Sequence, residues 1–251
     1  MTSFFKYVSI LLAILSLTAY VAPDEKIKVY LIGDSTMADK NTSAYPETGW
    51  GMPFKYFFDE TVEVDNRAKN GASTKTFIAE SRWQPVYENM NSRDYVLIQF
   101  GHNDEVKTKA SYCTPVEFKA NLTRFVTESR SKNAIPVLIT PVSRRQFVDG
   151  KPQENHQEYA PLVREVAEKL KVPMIDLDVR SRELFNEFGE KNSKLLFLHL
   201  NPSEHPNYPN GNVDNTHFNE LGARKIAQMV LAEIVKLRLE LADRIVKSNR
   251  K

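Results

Sequence analysis

Short apolar, β-branched stretches alternate with helical patterns along most of this chain. Because a strand joined to a parallel neighbour needs a crossover connection, usually a helix, this alternation predicts a parallel sheet with helices on both faces. The stretch at 95–100 shows no alternation of apolar and polar residues, which is typical of a strand buried on both faces. We therefore predict an α/β fold, a three-layer α/β/α sandwich with a five-stranded parallel sheet. The predicted strands are residues 26–32, 62–66, 95–100, 135–140 and 172–177.

The helices are predicted from apolar periodicity and from capping signals. Thr114, Pro115 and Glu117 open one helix, with threonine as the N-cap, proline at the first position and glutamate completing a capping box. A C-terminal helix is predicted over residues 219–247, where apolar residues recur at helical spacing. That apolar stripe consists of Ile226, Val230, Ile234, Leu237, Leu241 and Ile245. Further helices are predicted at residues 53–59 and 157–170.

The first segment, residues 1–22, has the pattern of a secretory signal peptide. One positive charge, Lys6, precedes an apolar run at 8–17, and small residues follow as far as Ala22. The run is shorter than the roughly 20 apolar residues that span a bilayer, and a membrane anchor is the alternative interpretation. Cleavage would leave residues 23–251, a length that fits one domain. We predict an exported protein, periplasmic or secreted, with no membrane association after cleavage.

The net charge and the cysteine content limit the kinds of partner and the cellular compartment that this protein can have. The net charge of +2 argues against nucleic acid as a partner, because nucleic-acid binding usually requires a concentrated basic face. Cys113 is the only cysteine, so no intramolecular disulfide can form. In an exported protein, this favours a bacterial periplasm over a disulfide-rich secreted scaffold.

Chemically useful residues follow the first three predicted strands. Ser35 comes after the first strand, Gly71 after the second and Asn103 after the third. Ligands of open parallel sheets bind at the carboxyl ends of the strands. The sequence therefore predicts that these three residues lie along one edge of the sheet.

Ser35 and the pair Asp214 and His217 predict nucleophilic chemistry. A serine at a strand-to-helix turn can expose its hydroxyl, although it can equally serve as a helix N-cap. An imidazole can accept the hydroxyl proton, and a carboxylate three residues earlier, on one helical turn, can orient that imidazole. The alternative is that Asp214 caps the C-terminal helix and His217 lies on the surface.

Gly71 and Asn103 are candidate donors to an oxyanion. The side-chain amide of Asn103 can stabilise developing negative charge, an interaction worth roughly 2.7–4 kcal/mol in a preorganised site. The backbone N–H of Gly71 can do the same. Both residues also suit ordinary turns, Asn103 an Asx turn and Gly71 a glycine turn, so neither is specific by itself.

Together these motifs resemble the SGNH (GDSL-type) hydrolase family, because all four of its blocks occur in order. The blocks are Gly-Asp-Ser at 33–35, glycine at 71, Gly-His-Asn-Asp at 101–104 and Asp-x-x-His at 214–217. Gly-Asp-Ser-Thr-Met-Ala at 33–38, Gly-Trp-Gly at 49–51 and Phe-Gly-His-Asn-Asp at 100–104 further resemble the rhamnogalacturonan acetylesterase branch. Fungal members of that branch carry disulfides, which this chain cannot form.

The resemblance implies a flavodoxin-like hydrolase fold over residues 23–251 and assigns a role to each site residue. It implies Ser35 as nucleophile, His217 as base and Asp214 as the residue that orients His217. It also implies an oxyanion hole made of the Ser35 N–H, the Gly71 N–H and the Asn103 side chain. No cofactor and no metal is implied, and the spacing of the remaining histidines supports no metal site.

Four residues are candidates for substrate binding. Trp50 and Tyr208 could stack on sugar rings, although core packing is the alternative for Trp50. Arg144 and Arg145 follow the fourth predicted strand, so they should lie near Ser35 and could contact a uronate carboxylate. The alternative for these arginines is a solvated turn.

The sequence thus predicts a monomeric serine esterase that removes acetyl groups from carbohydrate, with an acetylated pectic polysaccharide or oligosaccharide as the predicted substrate. Two alternatives remain: a lipolytic esterase of the same family, and a non-catalytic carbohydrate-binding module. A lipolytic enzyme would share every catalytic residue and differ only in its acyl pocket. The sequence leaves open the polymer, the acetyl position and the acyl chain length.

Overall fold

The computed structural model describes residues 26–246, and its centre is a five-stranded parallel sheet. The strands are β1 (Ile27–Gly33), β2 (Val62–Asn66), β3 (Tyr95–Gln99), β4 (Ile135–Ile139), β5 (Phe147–Val148), β6 (Lys151–Pro152), β7 (Met174–Ile175), β8 (Phe197–Leu200) and β9 (Asn212–Phe218). The central sheet has the order β2-β1-β3-β4-β7, and all its neighbouring strands are parallel. The pairs β5–β6 and β8–β9 form two small antiparallel hairpins. The predicted signal peptide, residues 1–22, lies outside the described residues.

Seven α-helices accompany the strands within the described residues. They are α1 (Gly51–Phe54), α2 (Thr74–Ala79), α3 (Trp83–Asn89), α4 (Pro115–Ser131), α5 (Tyr159–Leu170), α6 (Leu177–Asn192) and α7 (Glu220–Lys236). The predicted capping box is confirmed at the start of α4, where the Thr114 side chain accepts from the Glu117 N–H and the Glu117 carboxylate accepts from the Thr114 N–H. In the described chain, no helix is long and apolar enough to cross a membrane.

The two faces of the central sheet are buried by different helices. On one face, Val29, Leu97 and Ile139 pack into a core shared with α1, α6 and α7. On the other face, Ile32 and Ile98 pack into a second core with α2, α3, α4 and α5. Successive side chains of a strand point to opposite faces, so both faces of β1, β3 and β4 must be apolar. This confirms the predicted α/β/α sandwich.

The helix α6 is the largest element that the sequence analysis missed. We predicted a last strand over residues 172–177, but the strand is only Met174–Ile175 and the chain turns into α6 at once. The side chain of Asp176 accepts a hydrogen bond from the backbone N–H of Val179 and so acts as the N-cap. The helix carries many charged residues, which obscured its apolar face.

Two other predicted helices are shorter than expected. The segment predicted as a helix at 53–59 is the short helix α1 followed by one 3₁₀ turn at Lys55–Phe57. The predicted C-terminal helix begins at its Asn219 N-cap as expected but ends at Lys236, because Arg238 has a left-handed backbone with φ of 53°. Leu241 still reaches the core, although from a separate 3₁₀ turn.

Candidate active site

Ser35 lies in the turn that follows β1, and a buried hydrogen-bond network holds this turn. Oδ1 of Asp34 accepts from the backbone N–H of Thr36 at 2.9 Å and from its hydroxyl at 2.8 Å. Nε2 of Gln99, the last residue of β3, donates to Oγ1 of Thr36 at 2.7 Å. The indole N–H of Trp50 in turn donates to Oε1 of Gln99 at 2.8 Å. The turn is therefore tied to the neighbouring strand as well as to its own.

The buried position of Trp50 corrects one prediction. Its side chain is 0% exposed and packs edge-on against Phe54 at a ring distance of 5.4 Å. A ring with no exposed face cannot stack on a sugar, so the predicted substrate contact of Trp50 is wrong. Trp50 instead belongs to the core and to the network behind Ser35.

The structure brings Ser35, His217 and Asp214 into one hydrogen-bonded chain. Nε2 of His217 lies 2.9 Å from Oγ of Ser35, and Nδ1 of His217 lies 2.7 Å from Oδ2 of Asp214. Because an ionised carboxylate can only accept hydrogen bonds, Nδ1 carries a proton and Nε2 is the nitrogen that can accept the Ser35 proton. All three side chains are partly exposed, so a substrate can reach them.

The local backbone that carries Asp214 and His217 differs from the prediction. We expected one helical turn, but both residues lie in β9. Residues three apart in a regular strand point to opposite faces. Here Oδ1 of Asp214 accepts from the backbone N–H of Thr216 at 2.6 Å and of His217 at 2.9 Å, and this local turn brings the carboxylate beside the imidazole.

The same hydrogen bonds keep the Asp214 carboxylate ionised. Partial burial on its own would raise the pKa of Asp214. The hydrogen bonds from the His217 side chain and backbone, the charge of His217 and the Thr216 N–H outweigh burial and lower the pKa from 3.8 to about 2. Asp214 is therefore negatively charged in the folded protein near neutral pH, and it can stabilise a protonated His217.

Two backbone N–H groups near Ser35 have no acceptor. Among residues 26–246, neither the N–H of Ser35 nor the N–H of Gly71 donates a hydrogen bond to another protein group. Gly71 has a left-handed backbone with φ of 76°, in a turn closed by the bond from the Ala72 N–H to the Lys69 carbonyl. Unpaired donors of this kind at the carboxyl edge of a sheet suit an anionic group.

Asn103 follows β3 and lies beside the Gly71 loop. Its Nδ2 donates one hydrogen to the carbonyl of Ala72 at 3.0 Å, and an amide nitrogen has a second hydrogen to donate. The residue is 7% exposed. Since β2, β1 and β3 are adjacent in the sheet, the residues that follow them, Gly71, Ser35 and Asn103, meet at one edge. Their roles in an oxyanion hole remain predictions.

The buried carboxyl group of Asp104 holds the start of α2, next to the Gly71 loop. Asp104 is 0% exposed, and its Oδ1 accepts from the Thr74 N–H at 2.8 Å and from the Thr74 hydroxyl at 2.6 Å. Burial raises the pKa of Asp104 to about 7, and the negative charge of Asp34 adds to the shift. Burial also raises the pKa of Asp34. The sequence analysis did not single out either carboxyl group.

His102 is buried beside this edge and is neutral. Burial, with smaller electrostatic contributions from His156, Arg144 and His217, lowers the pKa of His102 well below 6.5. Its ring meets that of His156 edge-on at 4.5 Å. This packing places His102 behind the turn that carries Asn103.

Arg145 is a structural residue. It is 8% exposed, and its guanidinium donates to Oδ1 of Asn215 at 3.1 Å, to Oγ of Ser193 at 3.0 Å and to the Glu190 carbonyl. Its backbone N–H also donates to the Asn215 carbonyl at 2.7 Å. Because every guanidinium nitrogen has a protein partner, the predicted substrate contact of Arg145 is wrong.

Arg144 is more accessible than Arg145. Its guanidinium donates to Oγ1 of Thr216 at 3.0 Å, to Oε1 of Glu105 at 3.2 Å and to the His102 carbonyl at 3.4 Å. The side chain is 31% exposed and borders an open cavity of about 460 Å³. The predicted substrate contact of Arg144 remains a prediction. The two arginines also hold Asn215 and Thr216, the residues between Asp214 and His217.

Tyr208 and His199 lie near the strand that carries Asp214 and His217. The Tyr208 hydroxyl donates to the Ala44 carbonyl at 2.8 Å, and its half-buried ring leaves a sugar contact as a prediction. Nε2 of His199 lies 2.9 Å from Oδ1 of Asn215. Over residues 26–246, no group of three or more His, Cys, Asp or Glu residues is placed to hold a metal ion.

The three side chains form a hydrogen-bonded chain from serine through histidine to aspartate, at the carboxyl edge of a parallel sheet. This is the arrangement found in serine hydrolases. The chain matches the model of the GDSL-like lipase/acylhydrolase family over residues 31–225. It belongs to this family and is a carboxylic ester hydrolase.

Two sequence relatives come from Bacillus subtilis (strain 168). Rhamnogalacturonan acetylesterase RhgT is 43% identical over 222 residues, which cover 88% of this chain and 94% of the relative. Probable rhamnogalacturonan acetylesterase YesY is 33% identical over 221 residues, which cover 87% of this chain and 97% of the relative.

Two solved structures confirm the fold. Protein YxiM from Bacillus subtilis superposes with a TM-score of 0.74 at 23% identity, over 87% of this chain and 58% of that one. The acetylxylan esterase Axe2 from Geobacillus stearothermophilus superposes with a TM-score of 0.60 at 18% identity, over 90% of this chain and 98% of that one.

The raised pKa of Asp104 gives a pH-dependent stability prediction. A carboxyl group with a pKa of 3.8 when unfolded and about 7 when folded contributes stability below pH 3.8, and this contribution is lost as the pH rises towards 7. Asp104→Asn removes this titration while the amide oxygen can still accept from Thr74. Urea unfolding at about pH 4.5 and about pH 8 should therefore show a smaller loss of stability for the variant than for the wild type. Equal losses in both proteins would contradict the raised pKa.

Proposed function

We propose that this protein hydrolyses acetyl esters on pectic polysaccharide, as its relatives named rhamnogalacturonan acetylesterases do. The observation that carries the chemistry is the contact of 2.9 Å between Nε2 of His217 and Oγ of Ser35, next to unpaired N–H donors. Support for the substrate comes from the relative RhgT, which is 43% identical over most of both chains. Ser35 is then the nucleophile, His217 the general base and Asp214 its orienting carboxylate.

In the first half of the reaction, Oγ of Ser35 attacks the acetyl carbonyl carbon while Nε2 of His217 takes the hydroxyl proton. The carbonyl oxygen becomes an oxyanion, which the N–H groups of Ser35 and Gly71 and the amide of Asn103 stabilise. Collapse of this intermediate breaks the bond to the sugar oxygen. That oxygen leaves with the proton from His217, and the acetyl group remains on Ser35.

In the second half, a water molecule replaces the sugar. His217 removes a proton from the water, whose oxygen attacks the acetyl carbonyl, and a second oxyanion forms at the same donors. Acetate leaves as the proton returns to Oγ of Ser35. Asp214, which is ionised throughout, stabilises the protonated His217 in both halves. Each proton that His217 takes up is given back, so the cycle restores the starting enzyme.

The first test of this proposal is Ser35→Ala. Because one partly exposed hydroxyl is removed, we expect unchanged thermal unfolding but a loss of at least about 10²-fold in turnover. Turnover is measured as acetate release from acetylated pectic polymer and as hydrolysis of nitrophenyl acetate. A variant that keeps more than about a hundredth of wild-type activity would remove Ser35 from its role.

A chain-length series on wild-type protein separates the acetylesterase from a lipolytic enzyme. We expect nitrophenyl acetate to react faster than the butyrate and octanoate esters. Faster hydrolysis of octanoate would instead favour lipolysis. A protein that neither hydrolyses any ester nor reacts with a serine-directed organophosphate would be a carbohydrate-binding module.

Arg144→Ala tests whether this side chain contacts the polymer, and Arg145→Ala is the matched control. Arg145 is buried, so its loss should lower activity on polymer and on nitrophenyl acetate by the same factor and also lower the melting temperature. If the partly exposed Arg144 binds a uronate carboxylate, Arg144→Ala should lose at least about tenfold more on the polymer than on the neutral ester. In the wild type, added salt should lower activity on the polymer more than activity on the neutral ester. Equal losses on both substrates would mean that Arg144 acts only through Thr216.

We also propose that the protein is exported, periplasmic or secreted, and acts as a monomer. The pattern of residues 1–22 supports export, and an extracellular polymer as substrate is consistent with it. Expression in a bacterial host should give a mature protein in the periplasm or the medium that begins near residue 23. An intact N-terminus in the membrane fraction would favour the anchor instead.

A further inference from the structure

The buried side chain of Lys40 contacts three segments around Ser35. Its Nζ lies 2.7 Å from the Ser35 carbonyl oxygen, 2.7 Å from Oδ1 of Asn70 and 2.7 Å from Oε1 of Glu47. An ammonium group has three N–H donors, and each one here has its own acceptor. The side chain of Lys40 is 0% exposed, so no water competes for these positions.

The charge of Lys40 is balanced locally. Burying an ammonium group costs several kcal/mol unless an anion and good hydrogen bonds compensate. Glu47, whose side chain is 17% exposed, supplies the anion, and the other two acceptors are neutral. The ion pair therefore keeps Lys40 in place, while its other two hydrogens are directed at the active-site edge.

One of those two acceptors belongs to a residue with an unpaired N–H group, and the other belongs to the residue before such a group. One is the carbonyl of Ser35 itself. The other is the side chain of Asn70, which directly precedes Gly71. Through a single nitrogen atom, Lys40 thus connects the turn after β1 to the loop after β2.

Gly71 depends on such connections because its α-carbon faces open space on the side where a side chain would lie. The residue is exposed, and a Cβ built on it would have no neighbouring atom within 4 Å. Its position is set by hydrogen bonds of the surrounding loop, from Lys40 to Asn70 on one side and from Asn103 to Ala72 on the other. The backbone bond from the Lys69 N–H to the Gly33 carbonyl, at 3.0 Å, anchors the start of the loop.

We propose that Lys40 is a positioning residue that fixes the Gly71 N–H relative to the Ser35 N–H. This inference rests on the proposed function, in which both N–H groups stabilise the oxyanion. Lys40 touches no reacting atom and acts through Ser35 and Asn70. A displacement of about 1 Å in such a site can cost about 10²-fold in rate, so the connection has a kinetic consequence. Because the oxyanion forms only in the transition state, the consequence falls on kcat and not on KM.

The first variant is Lys40→Met, which has a similar length but no donors. We expect kcat on nitrophenyl acetate to fall by about 10- to 100-fold with KM changed by less than about twofold. This variant also leaves Glu47 without its cation and can destabilise the fold. Two further variants separate the kinetic effect from stability.

Asn70→Ala removes only the connection to the Gly71 loop. Asn70 is exposed, so truncating it to alanine lets water reach the Lys40 ammonium and accept in place of Oδ1, and the melting temperature should stay unchanged. We expect kcat to fall by at least about fivefold at constant KM. Glu47→Gln is the matched control, because it weakens the ion pair but keeps an oxygen acceptor. It should lower the melting temperature and leave kcat within about twofold.

The double variant Lys40→Met/Asn70→Ala shows whether the two residues act as one unit. Its loss in kcat should be no larger than that of Lys40→Met alone, whereas independent residues would give multiplied losses. Binding of ethylboronic acid, which forms a tetrahedral adduct with a serine oxygen, should weaken by about the factor by which kcat/KM falls. An Asn70→Ala protein with wild-type kcat, or losses confined to KM, would overturn the proposal.

These outcomes are distinguishable from a failure of the proposed function. If Ser35 is not the nucleophile, Ser35→Ala remains active and ethylboronic acid does not inhibit the wild type. If only the role of Lys40 is wrong, Ser35→Ala is inactive and the wild type is inhibited, but Asn70→Ala retains full kcat.

Discussion

The site depends on the parallel pairing of β1 with β2 on one side and β3 on the other. This pairing places the carboxyl ends of three strands side by side, so that Ser35, Gly71 and Asn103 meet although they are far apart in sequence. Burial on both faces holds the pairing in register, because a shift by one residue would exchange the side chains that face the two cores. The packing of the sheet is therefore what gives the proposed oxyanion hole its geometry.

Hydrogen bonds to ionisable side chains then fix the loops at the carboxyl edge of the sheet. Lys40 holds the Ser35 turn and the Gly71 loop, and Asp104 holds the start of α2 through Thr74. The two arginines, Arg144 and Arg145, hold the strand that carries His217. Lys40, Asp104 and Arg145 are buried and Arg144 is partly exposed, and a buried charge without partners is costly. All four bind backbone or side-chain groups of the segments that carry or border the proposed catalytic residues.

Much of the fold could be predicted because its signals are local. The apolar strands, the capping box at Thr114 and the apolar stripe of α7 each follow from residues within one element. The errors have local causes as well. The charged helix α6 has a weak apolar pattern, and the C-terminal helix ends at a left-handed Arg238 that its apolar spacing does not reveal. The extended backbone of Asp214 and His217 was missed because a spacing of three is also that of a helical turn.

By itself, the sequence determined most of the order of β and α elements and the motifs that follow the strands. Those motifs were enough to select Ser35, Asp214 and His217 as the proposed catalytic residues. Only the tertiary structure decided which polar and aromatic side chains are buried. It placed Trp50 and Arg145 in the interior, where they cannot bind a sugar, and it brought Lys40 to the active-site edge. The physical reason is that burial and hydrogen-bond partners depend on contacts between distant segments. His217 and Ser35 are 182 residues apart, and no local pattern records their separation of 2.9 Å.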